Sequence, residues 1–193
     1  MEATLAGNVG AVLDMLGRDD AEVLLERAVE LNQVLGAELG LRTAIGNLAV
    51  FHLNRGRLEE AAGGFARAAD LAHRHRDIRH AAVWTRWTAT VALFLGRTEE
   101  ARVAAEAGRA LAVESGFAAE IAAVTALLGH VALAAGEDAS GWWERAHAAG
   151  PSEAAKTLRA AIDAADRGEA LAGGFALDEL PPRLAARLRG GAS

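Results

Sequence analysis

Gly56–Ala61 reads GRLEEA, and forty residues later Gly96–Ala101 reads GRTEEA. The unit recurs less completely as GRDDA from Gly17 and GEDA from Gly136, so its glycines stand 39, 40 and 40 residues apart. After each glycine an alanine opens a run with small, large and small residues at i, i+4 and i+7. The runs are Ala21–Leu25–Ala28, Ala61–Phe65–Ala68, Ala101–Ala105–Gly108 and Ala139–Trp143–Ala146. These positions share one face of a helix. The small residues admit a neighbouring helix, and the large one fills the gap between helices.

A second helix precedes each glycine, most clearly in LRTAIGNLAVFHLNRGR, which ends at Gly56–Arg57. Each unit is therefore helix A, a glycine turn, helix B and a short connection. Glycine suits the left-handed position that ends helix A. The acidic pairs that follow (Asp19–Asp20, Glu59–Glu60, Glu99–Glu100, Glu137–Asp138) fall in the first turn of helix B, at the positive end of its dipole. A period of this length, with one hairpin per period, predicts an all-α solenoid in which each repeat buries its face against the next. The expected repeats are residues 3–38, 41–77, 80–116 and 119–150. Residues 151–193 are expected to hold a capping helix, with Ser152 as N-cap and Gly168 as its stop, and then a short amphipathic helix in PPRLAARLRGG.

Composition agrees. Proline is confined to three positions from Pro151 onward, so nothing breaks a helix in the first 150 residues. No alternating β-branched run signals a strand. The absence of cysteine excludes disulfides, thiolate metal sites and a cysteine nucleophile. No apolar run approaches the roughly twenty residues that cross a bilayer, and MEATLAGNVG lacks the basic start of a signal peptide. A soluble cytoplasmic protein is the expectation. A net charge of −6 argues against nucleic acid as a ligand.

The segment Ala44–Asp70, AIGNLAVFHLNRGRLEEAAGGFARAAD, resembles a tetratricopeptide repeat. Leu48, Ala49, Gly56, Ala61, Phe65 and Ala68 fall where that family places its packing residues. The longer, forty-residue period is similar to repeats of bacterial regulators and signalling proteins. The resemblance covers about residues 3–150, and it implies a right-handed superhelix whose A helices line a concave, partner-binding groove. It places Gly46, Asn47, Val50, Leu53 and Asn54 of repeat 2 there, with Arg86, Thr90 and Phe94 of repeat 3 and Ala126, His130 and Leu133 of repeat 4. This mixed surface suits a peptide or a helix, with Asn54, Arg86 and His130 fixing its register. The plainer reading is that these polar side chains only solvate a groove. Asn47 matches one position of the family's carboxylate clamp, but the only lysine is Lys156, so that clamp is not expected. In repeat 3, Trp84 and Trp87 precede by one position Thr85 and Thr88, which stand where larger apolar residues belong, so a one-residue register shift is an alternative.

No phosphate loop, nucleophile elbow or His-Glu-x-x-His motif is present, so neither catalysis nor a cofactor is expected. The basic knot HRHRDIRH, His73–His80, holds His73, His75, Asp77 and His80, but its interleaved arginines repel a cation. It reads as the basic end of a helix, or as a contact for a phosphate or acidic peptide. The tryptophans read as core, with Trp142 against the capping helix; Trp84 and Trp87, on a groove-lining helix, are alternatively anchors for a ligand. The leading expectation is a non-enzymatic protein- or peptide-binding module. The alternatives are a regulatory sensor of a small molecule or peptide, and a homodimeric scaffold joined through Trp142 or the C-terminal helix.

Overall fold

The computed structural model describes residues 1–150 and 153–167. Among them it contains helices and no strand. The helices are α1 (Glu2–Met15), α2 (Ala21–Val34), α3 (Glu38–Asn54), α4 (Leu58–Arg74), α5 (Ile78–Phe94), α6 (Thr98–Ser115), α7 (Ala118–Ala134), α8 (Ser140–Ala149) and α9 (Glu153–Asp166). Each packs on its neighbours in sequence, the arrangement of a helical repeat. Ser152, Gly168 and the amphipathic stretch beyond Pro181 lie outside the described residues.

The turns explain the spacing of the glycines. Gly17, Gly56, Gly96 and Gly136 all have φ between 70° and 75°. At each, two backbone bonds close the preceding helix. At Gly56, for example, Gly56 N–H donates to Leu53 O (3.0 Å) and Arg57 N–H to His52 O (2.9 Å). This double bond pattern needs a left-handed residue, which glycine supplies without steric cost. A second series closes the B helices at Gly36, Arg76 and Gly116, again forty residues apart and again with φ near 60°. Arg76 is the one side-chain-bearing member. The three-residue turns at 35–37, 55–57, 75–77 and 95–97 leave no slack, because the residue that ends one helix's cap is the N-cap of the next.

The small–large–small runs form the core. Ala21, Ala61 and Ala101 are fully buried, as are Leu25, Phe65 and Ala105. Each B helix is sandwiched between its own A helix and the next. Ala21 and Leu25 meet Phe51, and Phe65 stacks on both Trp84 (6.0 Å, 20°) and Trp87 (5.7 Å, 17°). Helices α3 and α5 begin and end forty residues apart, so no register shift accompanies the tryptophans. Trp84 instead fills space left by a missing side chain: a Cβ on Gly46 would lie 2.5 Å from its ring. At the far end α9 lies on α7 and α8, with Ala155, Leu158 and Ile162 buried among Ala126, Ala146 and Trp142. Gly129 permits this, since a Cβ there would meet Leu158 at 2.4 Å.

Candidate functional site

Helix α1 also touches α3, and α5 touches α7, so the A helices are in contact beyond their own hairpins. The groove residues expected on them differ in what the fold asks of them. Val50 and Phe94 are half-buried against one cluster, built of Ala49, Leu53, Ala61, Phe65 and Val91. Asn47 is half-buried, and its amide makes no hydrogen bond within the described residues. Thr90 is buried and donates its hydroxyl to Arg86 O at 2.9 Å. Leu53, Ala126 and His130 are buried, and Leu133 is half-buried over the α9 contact.

Asn54 and Arg86 are engaged between repeats. Asn54 Nδ2 donates to Asp14 Oδ2 of α1 (2.7 Å). Asp14 also pairs with Arg55, both side chains being largely buried, and Arg55 extends to Asp19 (3.2 Å) and to Arg18 O (2.8 Å). Arg86 Nε donates to the buried carboxylate of Glu120 on α7, with its guanidinium 4.8 Å from the Trp87 ring centre. Removing either partner would strand a buried charge, which costs several kcal/mol as an order of magnitude.

These pairs belong to a ladder that steps about one period along the chain. The arginines of the two middle glycine turns reach back to an acid of the preceding repeat: Arg57 to Glu22 (2.7 Å) and Arg97 to Glu59. Arg102 reaches forward to Glu137 (2.7 Å), and Arg42 to Asp77 (2.6 Å). The acids placed by sequence at helix starts therefore also bridge repeats. The exposed rungs are each worth at most about 1 kcal/mol, but all of them tie neighbouring hairpins together.

The basic knot is distributed over two helices. Helix α4 ends at Arg74, and Asp77 caps α5, so His73 and Asp77 do not share a helix. Asp77 accepts from His80 N–H (3.2 Å), from the His80 ring (2.9 Å) and from Arg42. Burial raises its carboxyl pKa, but the His80 and Arg42 bonds together outweigh burial and hold it at about 2. His75 Nε2 sits 2.6 Å from Glu38, and Arg79 stacks 3.9 Å over Phe117. Among the described residues no three His, Cys, Asp or Glu side chains are placed to hold a metal, and no helix is long and apolar enough to cross a membrane.

One cleft was not foreseen. It opens between the B helices α2 and α4 over α3, with a volume of about 180 Å³, and is lined by Val29, Ile45, Leu48, His52, Glu60 and Arg67 among others. Gly63, with no atom within 4 Å of where a Cβ would sit, keeps its mouth open. Burial, then the Arg57 charge, pushes the His52 ring below its usual pKa, and its Nδ1 is buried without a hydrogen-bond partner. The signal in the sequence was the Gly63–Gly64 pair inside a helix, where glycine otherwise costs stability. Compared with protein-family models and with curated proteins, the chain matches none.

Proposed function

We propose that residues 1–150 form a right-handed, tetratricopeptide-like α-solenoid of four repeats that acts as a non-enzymatic protein- or peptide-binding module. The A helices line its concave groove. The observation that carries this reading is that these helices hold half-exposed apolar side chains, Val50 and Phe94, together with an amide, Asn47, that the fold does not use. A docked segment would cover the apolar groups, and Asn47 would bond its main chain, where an unmet polar group is costly. Asn54 and Arg86 then act by holding neighbouring repeats in register, which sets the shape of the groove. The net charge of −6 favours a protein partner over nucleic acid, in the cytoplasm.

The test is a pull-down from cells of origin, quantified by mass spectrometry. Wild type is compared with Asn47→Asp/Val50→Lys, and with Arg109→Glu, exposed on the B helix α6, as control. One or a few proteins should fall at least about tenfold, a loss of 1.4 kcal/mol, with the A-helix variant alone. Identical profiles for all three would defeat the reading.

The His52 cleft favours a second reading, a sensor of a small molecule that fits about 180 Å³ between two B helices. A melting-temperature rise with a metabolite, abolished by Gly63→Leu, would support it. No such rise across a broad metabolite panel would remove it.

A further inference from the structure

Four exposed apolar side chains descend α1 at intervals of four, three and four: Leu5 (63% exposed), Val9 (39%), Val12 (55%) and Leu16 (71%), the last at the C-cap. Between them α1 offers no unpaired charge. Glu2 pairs with Arg27 (3.5 Å), and Asp14 is turned inward onto Arg55.

The repeat says what this face is for. Counted from the glycine turns, Leu5, Val9 and Val12 correspond to Ala44, Leu48 and Phe51 of α3. Ala44 packs with Ala28 of α2, and Phe51 with Ala21 and Leu25 of α2. One period further, Val91 of α5 packs on Phe65 of α4. Val131 of α7 lies in the cluster holding Ala101, Ala105 and Ala112 of α6. This is the side on which every later A helix receives the helix before it. On α1 no described residue covers it.

We propose that the face is a self-association surface, on which α1 packs against α1 of a second copy across a two-fold axis. Spacing of four, three and four is that of a narrow two-helix seam. The seam is self-complementary and brings no like charges together. Head-to-tail stacking, with α8 of one copy against α1 of the next, is blocked because α9 already covers α7 and α8. The contact is thus isologous and closes at two copies. The apolar patch, on the order of a few hundred Å², is at the small end for a specific dimer, so the association is weak and concentration-dependent.

Sedimentation velocity of the full chain from about 1 to about 200 µM should show mass rising from 20.0 kDa towards twice that value. Val9→Glu/Val12→Glu should stay monomeric throughout, a shift of at least about a hundredfold, with circular dichroism unchanged and melting unchanged at concentrations where the wild type is monomeric. Because the chain has no cysteine, Val12→Cys should form a disulfide-linked dimer under mild oxidation. Val103→Cys, more exposed and on α6, should not. A wild type that remains monomeric, whether or not α1 is covered by the chain's own C-terminal segment or by another protein, overturns the proposal. So does assembly beyond two copies, or a Val9/Val12 variant that dimerises like wild type.

Discussion

The two ends of the array finish differently. At the C-terminal end α9 lies across α7 and α8 with Ala155, Leu158 and Ile162 buried. It turns Lys156 and Arg159 to solvent, and Arg159 reaches Trp143 at 5.2 Å. At the N-terminal end the equivalent side of α1 shows Leu5, Val12 and Leu16. Both ends face the same problem, because a hairpin with an apolar side on each flank cannot satisfy both within one repeat. One end is closed by a helix with a polar back, and at the other no described residue covers the apolar side. A repeat array is therefore directional even when its units are alike.

The contrast makes measurable claims. The largest effect belongs to the closed end: Leu158→Ala should cost about 2–5 kcal/mol by chemical denaturation, whereas Leu5→Ala should cost less than about 0.5 kcal/mol at concentrations where the chain is monomeric. If the two costs were similar, the ends would not differ as described.

The start of α5 should respond to acid where the starts of α3 and α7 do not. Asp77 caps α5, while the matching N-caps of α3 and α7 are Ala37 and Phe117. Its folded value of about 2 lies below its ordinary 3.8. Its contribution, about 2 kcal/mol, is thus full above about pH 4 and lost as pH falls through 2. Hydrogen exchange at pH 3 against pH 6 should show the start of α5 loosening ahead of the starts of α3 and α7. Asp77→Asn should flatten that difference.

The smallest effect concerns the turns. Arg76 holds φ 56° where its counterparts are Gly36 and Gly116. The left-handed region costs a residue with a Cβ roughly 1–2 kcal/mol, partly offset by the greater chain entropy of unfolded glycine. Arg76→Gly should therefore stabilise by about 0.5–1 kcal/mol, a melting shift of about 2–3 °C. Gly116→Arg should move the other way.

Arg76 also shows what the sequence concealed. The series Gly17, Gly56, Gly96 and Gly136 was legible, and with it the hairpin, because only one residue type fits that turn cheaply. The second series was hidden since an arginine stands in its middle. The acids after each glycine were legible as helix starts, but the arginines that meet Asp19, Glu59 and Glu137 come from the adjacent repeat. Likewise Asn54 and Arg86 look like ligands on a groove wall until Asp14 and Glu120, 40 and 34 residues away, are found beside them. Local pattern reveals which face a residue occupies, not whether a distant carboxylate has already claimed it. The apolar stripe of α1 was overlooked for a related reason: within one helix it reads as ordinary core, and only the stacking of later repeats reveals that no described residue covers it.

The shared turns carry one more consequence. Gly56–Arg57 and Gly96–Arg97 are closed by the same pair of backbone bonds, with φ of 70° and 73° at the two glycines. Joining Gly56 directly to Arg97 would remove forty residues and recreate an equivalent junction, with Arg97 arriving where Arg57 had met Glu22. The chain is in effect written in interchangeable cassettes. Losing one would need no new loop, and what would have to be repaired is the packing between helices, where Trp84 fills the space over Gly46.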